Sequence, residues 1–236
     1  ITKHMKPIVT PEEAVKEIKD GSSIMIGGFG GSGDMPTNLI LALSNSKAKN
    51  LTIISNTGGL PRFGLIQNQP LPVNHDILIR NKQVSKIISS FPVSPSPSMK
   101  NALEEIYKEE NIIIELIPQG TLAEKIRAGG AGIRAFYTPT GVNSFPSEKK
   151  ETRLFNNTRY LLEEWLQADF CFIRAHKSDT LGNLINKGTS KNFNPIMATA
   201  SKVTIVETDE IVNPEQLIPE QITTPGIFVN KLVHRN

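Results

Sequence analysis

The chain predicts an α/β fold, a mostly parallel sheet with helices on both faces. Two observations carry this. Short apolar runs recur at 24–26, 51–54, 84–88, 112–117, 168–175 and 203–207, each about the length of a buried strand. Helix-start signals fall between them, and strands alternating with helices favour parallel pairing. A third observation concerns function: glycine- and amide-rich turns follow three of the runs, at 27–33, 56–59 and 118–120. In such sheets the carboxyl ends of the strands are where ligands sit.

Each element has a local reason. Thr10-Pro11-Glu12-Glu13 is a cap, a proline and two acids, so a helix is expected through Ala14, Val15 and Ile18 to Gly21. Ile24-Met25-Ile26 then runs into Gly27-Gly28-Phe29-Gly30-Gly31-Ser32-Gly33. Pro36 opens a helix over 37–46. Strand, glycine turn and helix N-terminus together make a place for an anion or a polarised carbonyl. Leu51–Ile54 is a strand ending at Ser55-Asn56-Thr57-Gly58-Gly59, and Ile77–Ile79 and Val84–Ile88 read as two more. Residues 92–98 form a proline-rich loop. Lys100–Glu110 reads as a helix, and Ile112–Ile117 as a strand that ends in Pro118-Gln119-Gly120. Thr121-Leu122-Ala123-Glu124 has the form of a capping box, opening a helix to Arg127 ahead of Gly129-Gly130-Ala131-Gly132.

Composition excludes several classes. The net charge of +3 is too small, and the basic runs too short, to argue for nucleic acid. No run of about 18 apolar residues is present to span a membrane. A single cysteine, Cys171, rules out a disulfide framework, which fits a reducing compartment or simple indifference, and a cytoplasmic setting is expected. Within Phe170-Cys171-Phe172-Ile173 it reads as a buried strand residue. His4, His75, His176 and His234 have no second ligand at metal spacing, so no metal is expected. The acid pairs at 12–13, 104–105, 109–110 and 163–164 read as solvated helix faces. Residues 5–236 are expected to form one domain, and 1–4, ahead of Met5, to be an expression remnant.

Gly28-Phe29-Gly30-Gly31-Ser32-Gly33 formally matches the dinucleotide-fold pattern G-x-G-x-x-G. The acid required at the end of the next strand is missing, since Ser55 and Asn56 stand there. No P-loop and no nucleophile elbow is present. The chain thus offers backbone donors and amides, but no convincing nucleophile.

In its motifs the chain resembles the A subunit of a family I coenzyme A-transferase of the 3-oxoacid type. Asp20-Gly21, Ile24-Met25-Ile26, Gly27-Gly28-Phe29, Gly33 and Pro36 follow the family signature. Asp34 and Met35 stand where the signature has one residue. PQGTLAEKIRAGGAG at 118–132, AFYTPTG at 135–141, GNL at 182–184, KNFNPIMATA at 191–200 and TPGIFV at 224–229 extend the likeness over residues 6–233. The resemblance implies a CoA-transferase-like α/β fold and coenzyme A as a substrate, with no permanently bound cofactor. It implies a B-subunit partner, as A2B2, carrying the nucleophilic glutamate. This chain lacks the family's Ser-Glu-Asn-Gly motif, and Glu109-Glu110-Asn111-Ile112 is the nearest string. By resemblance Gly27, Gly28, Phe29, Gly30, Gly31, Ser32 and Gly33 contact CoA, and Asn56, Gln119, Gly129 and Gly130 line the substrate pocket. Departures at Thr57, at Ile133-Arg134 and in a longer 65–80 segment bearing Pro70-Leu71-Pro72 leave the acid open. The glutaconate and butyrate/acetate transferases, and a non-catalytic CoA- or nucleotide-binding protein, are the alternatives.

Overall fold

The structure is a computed structural model and describes residues 5–29, 35–60, 73–95, 98–144 and 150–235. Its centre is an eight-stranded sheet. β1 (Ser23–Ile26), β2 (Leu51–Ile54), β3 (Val84–Ser89) and β4 (Ile113–Leu116) proceed in one direction from β1. The chain then returns to the other side of β1 and adds β8 (Ala168–Asp179), β10 (Ser201–Val212) and β11 (Lys231–His234). Every neighbour along this path is parallel, and the two-residue β9 (Leu184–Ile185) pairs antiparallel with β8. The strand order reverses between β1 and β8, which places the switch point beside Gly27.

Side chains alternate across the sheet with the strand period of two. Ile24, Ile53, Ile87, Phe170 and Phe172 face one core, and Met25, Ile54, Ile88, Cys171 and Ile173 the other. The first core is covered by α1 (Pro11–Val15), α2 (Thr37–Ser44), α3 (Asp76–Arg80) and α4 (Ala102–Ile106). The second is covered by α5 (Gln119–Ala131) and α6 (Asn194–Thr199). Right-handed crossovers require this arrangement once the direction of strand addition reverses. Helices on both faces of a mostly parallel sheet agree with the sequence reading.

Four local expectations are corrected. Ile77–Ile79 is helical rather than extended, because Asn74 Oδ1 accepts the Asp76 N–H at 2.9 Å and starts a turn that buries Leu78 and Ile79. Thr121 opens nothing: α5 begins at Gln119, and the Thr121 hydroxyl is buried without a hydrogen-bond partner among the described residues. Gly129 and Gly130 do not follow that helix but form its last turns. A methyl group at Gly129 would come within 2.2 Å of the Leu166 carbonyl oxygen, and one at Gly130 within 2.0 Å of Thr199 Oγ1. Close packing thus outweighs the low helix propensity of glycine, roughly 1 kcal/mol each against alanine. The acid pair at 163–164 lies in a strand, not a helix.

A second sheet was not anticipated from the sequence. β5 (Ala135–Thr138), β6 (Thr152–Phe155) and β7 (Thr158–Glu164) form an antiparallel unit in the order β5-β7-β6. Asn156 and Asn157 make the tight β6–β7 turn with φ of 47° and 61°, the left-handed values a two-residue hairpin turn requires.

Candidate functional site

The carboxyl ends of β1 to β4 form one rim, and the turns beyond them make the candidate site. The turn after β2 is held at almost every peptide. The Asn56 carbonyl accepts the Ser90 and Phe91 N–H groups at 3.2 and 3.0 Å. The Thr57 carbonyl accepts Ser55 Oγ at 2.6 Å and His75 Nε2 at 2.8 Å. Asn101 Nδ2 donates to the Gly59 carbonyl at 3.0 Å, and Asn74 Nδ2 to that of Leu60 at 2.6 Å. With its backbone pinned, the buried Asn56 side chain is aimed across the end of β3. There Gln119 Nε2 donates to Asn56 Oδ1 at 2.7 Å. Gln119 reaches this point because it is the first residue of α5, immediately after Pro118.

Among the described residues the carboxamide pair is chemically open on its other side. No other described residue bonds Asn56 Nδ2 or Gln119 Oε1. The pair presents donors from both amides and an acceptor from Gln119, which suits a carboxylate or a thioester carbonyl. Extending the β1–β2 register by two residues sets Gly27 beside Asn56.

His75 is a part of this site that sequence reading passed over. It is fully buried, and its Nε2 donation to the Thr57 carbonyl leaves Nδ1 without a hydrogen. Burial lowers its pKa, so it braces the turn as a neutral ring. The available signal was the polar triplet Asn74-His75-Asp76 ahead of an apolar run. All three are buried, and each bonds a neighbouring backbone.

At the glycine turn the described residues are Gly27, Gly28 and Phe29; Gly30, Gly31, Ser32 and Gly33 lie outside the described residues. Gly27 N donates to the Phe172 carbonyl at 2.8 Å, and Gly28 N to Asn192 Oδ1 at 3.2 Å. A methyl at Gly27 would fall 1.9 Å from Asn194 Oδ1. Gly28 has φ 106°, which a residue with a Cβ avoids. Phe29 is 44% exposed and stacks on buried Phe193 with ring centroids 6.2 Å apart. The segment Asn192-Phe193-Asn194 therefore shapes the start of this turn.

The helix N-terminus expected to receive an anion is already filled. Glu207, fully buried on β10, accepts the Asn38 N–H at 2.8 Å and the Leu39 N–H at 3.2 Å through Oε2. The Thr37 N–H is used by the Met35 carbonyl. The protein's own carboxylate thus satisfies the donors that α2 would offer. Burial pushes the Glu207 pKa up, against those N–H groups and Arg235, whose Nε lies 3.6 Å from Oε1. A folded-state pKa above the unfolded value makes ionisation costlier in the fold. Stability from this group therefore falls as pH rises from the ordinary glutamate range through the raised value. Glu207→Gln is expected to gain stability on the wild type over that window in urea melts. Glu207→Ala should lose about 1–2 kcal/mol with the cap. A pH-independent difference between wild type and Glu207→Gln would refute the titration.

The remaining expectations have plain outcomes. Gly129 and Gly130 sit about 15 Å along α5 from Gln119, at 1.5 Å per residue, and touch Leu166 and Thr199 rather than the Asn56 rim. The structure does not bring them to the amide pair. Cys171 is buried mid-strand and its thiol pKa is pushed up by burial. His176 Nδ1 lies 3.5 Å from Asp209 Oδ2, and Arg174 holds the same carboxylate at 2.8 Å. Among the described residues no cluster of His, Cys, Asp and Glu could hold a metal ion, and no helix is long and apolar enough to cross a membrane. The four buried carboxylates among the described residues are all engaged. Asp76 bonds Ala102 N, Asp179 bonds Leu181 N and Asn183, Glu163 binds Lys125 and Lys150, and Glu207 caps α2. An open cleft of about 640 Å³ between α1 and α2 lies at the opposite ends of the strands from the amide pair.

Known proteins match this fold and these motifs along nearly the whole chain. The family described as coenzyme A transferase matches residues 8–235. The A subunit of the 3-oxoadipate CoA-transferase of Pseudomonas putida is 44% identical over 220 residues, covering 93% of this chain and 89% of that protein. The A subunit of the succinyl-CoA:3-ketoacid coenzyme A transferase of Helicobacter pylori is 40% identical over 227 residues, covering 96% and 91%. Among solved structures, an acyl-CoA transferase from E. coli O157:H7, in a thioester complex with CoA, shares the fold with a TM-score of 0.82 at 22% identity. The match covers 98% of this chain and 47% of the E. coli one, so this chain spans about half the length of that structure. On the matched family and these identities, the chain belongs to the coenzyme A transferase family.

Proposed function

We propose that this chain is the A subunit of a 3-oxoacid CoA-transferase. It would move CoA from succinyl-CoA or acetyl-CoA to a short-chain 3-oxo acid such as acetoacetate. The observation that carries the proposal is the Asn56–Gln119 amide pair, braced from beneath and open on one side, next to the Gly27–Phe29 turn. The names of its relatives, as A subunits, and its half-length match to the E. coli structure support a second chain, in an A2B2 assembly.

The reaction would be ping-pong covalent catalysis. A glutamate of the partner attacks the thioester carbonyl, CoA thiolate leaves and a mixed anhydride forms. The thiolate then attacks the glutamyl carbonyl and releases the donor acid, leaving a glutamyl-CoA thioester. The acceptor acid reverses both steps. Each addition puts negative charge on an oxygen, where a preorganised donor contributes about 3–4 kcal/mol. Asn56 Nδ2 and the second Gln119 N–H are suited to that role, or to holding the acid. The glycine turn, with exposed Phe29, would guide CoA.

A second reading differs only in the acid. The relative at 44% identity is named for 3-oxoadipate, a dicarboxylate. The test is a CoA-transfer assay with succinyl-CoA or acetyl-CoA against acetoacetate and 3-oxoadipate, comparing this chain alone with this chain co-expressed with a B-type partner. Activity only in the mixture, with borohydride-sensitive inactivation of the partner after acyl-CoA addition, is the expected result. The better acceptor distinguishes the two acids. No transfer in the mixture to either acid would count against both.

A further inference from the structure

The β6–β7 hairpin is exposed in a way that its own chain does not explain. All nine residues from Glu151 to Arg159 are exposed, so β6 has solvent on both faces. An antiparallel strand ordinarily buries one face. β6 also lies at the edge of its three-stranded sheet, where outward N–H and C=O groups are unpaired. Leu154 is 62% exposed, and its cross-strand neighbour on the same face is Arg159.

That face is basic. Arg159, Lys150 and Thr152 line an open cleft of about 390 Å³ with Leu161 at its base. Lys125 and Lys150 both bind Glu163, so one carboxylate serves two lysines while Arg159 has no ion pair among the described residues. Burial would raise the Glu163 pKa, yet the two lysines outweigh it and hold it below the ordinary value. Among the described residues, Lys150 and exposed Arg159, with buried Lys125 beneath, face one carboxylate, which leaves a positive surplus beside an aliphatic side chain.

The same surface runs on to the amide pair. Gly141, in the connection from β5 to β6, packs between the two: a methyl there would lie 3.6 Å from Leu161 Cδ1 and 3.9 Å from Pro118 Cγ. Pro118 is the residue before Gln119. A protein seated on the hairpin would therefore stand at the edge of the Asn56–Gln119 rim.

We infer that the Leu154–Arg159 face of this hairpin is the docking surface for the second chain of the transferase, which meets it with an apolar contact ringed by carboxylates. This rests on the two-chain reading proposed above. Continuity with the amide rim favours that occupant, and a second copy of this chain would set cations against cations. Arginine is among the residues enriched at interface hot spots, and exposed Leu154 adds apolar area beside Arg159.

The experiment is co-expression of the two full chains, pull-down and measurement of the complex Kd for wild type, Leu154→Glu, Arg159→Glu and Ile227→Glu. Ile227 is 82% exposed in the turn before β11 and serves as an apolar-to-acid control. Leu154→Glu and Arg159→Glu are expected to weaken association by about tenfold or more, the scale of a hot-spot loss, with Ile227→Glu at wild-type affinity. Both side chains are exposed, so the isolated variants should keep the wild-type circular dichroism and Tm. Retained association by Leu154→Glu, or equal weakening by Ile227→Glu, would overturn the docking surface alone. Failure of the wild type to associate would overturn the two-chain reading as well. An isolated wild-type chain that dimerises, and that Leu154→Glu returns to monomer, would assign the surface to self-association and overturn the inference.

Discussion

Gln119→Ala, assayed with the partner chain present, is expected to lower kcat by about 10- to 100-fold, the equivalent of roughly 1.4–2.7 kcal/mol in the barrier. Stability should change far less. Gln119 is partly exposed and contributes one neutral hydrogen bond to the fold, at 2.7 Å to Asn56 Oδ1. Such a bond is worth about 1 kcal/mol net, and water can reach Asn56 once the longer side chain is gone. For a chain of this size that is a Tm change of about 2–4 °C. Gln119→Glu sharpens the test: it keeps the length but places a carboxylate where an acid substrate is expected. It should raise KM for the acid more than KM for the acyl-CoA. An unchanged kcat in Gln119→Ala would remove the amide pair from the reaction and leave it a purely structural contact.

Gly129→Ala is expected to destabilise the fold by about 3 kcal/mol, at the upper end of what overpacking a filled site costs. The added methyl would sit 2.2 Å from the Leu166 carbonyl oxygen and 3.0 Å from the Leu166 carbonyl carbon. Both are main-chain atoms, so no side-chain rotation relieves the clash, and α5 would have to lift from the segment before β8. Gly120→Ala in the same helix is the control. A methyl at Gly120 meets nothing within 4 Å, so exchanging glycine for alanine in a helix should stabilise by about 0.5–1 kcal/mol. Thermal melts of the two variants therefore move in opposite directions. A Gly129→Ala protein with wild-type Tm and impaired substrate binding would restore Gly129 to the pocket.

The rim was legible because its parts are local. Asn56 and Gln119 each follow an apolar strand run and a turn signal, and parallel pairing brings such turns to one side of the sheet. What could not be read locally is where backbone donors find their acceptors. The α2 N-terminus looked vacant because its acceptor, Glu207, is 169 residues from Asn38. The same holds for the glycines at 27, 129 and 130, whose neighbours Asn194, Leu166 and Thr199 lie far along the chain. Helix α3 was misread because three apolar residues in a row fit a buried strand and a buried helix equally well. The β5–β7–β6 sheet was missed because β6, Thr152-Arg153-Leu154-Phe155, has no buried face to impose alternation.

By itself the sequence determined the class of fold, six of its seven parallel strands, with β11 unread, and the turns that carry the amides. Those follow from residue types within a few positions of each other: apolar period, caps, glycine and proline. The tertiary structure alone decided which glycines are packed against backbone, which carboxylate fills the helix end, and that Asn56 and Gln119 touch. These depend on contacts between residues tens to more than a hundred positions apart, and burial sets their energetics only once the chain has closed around them.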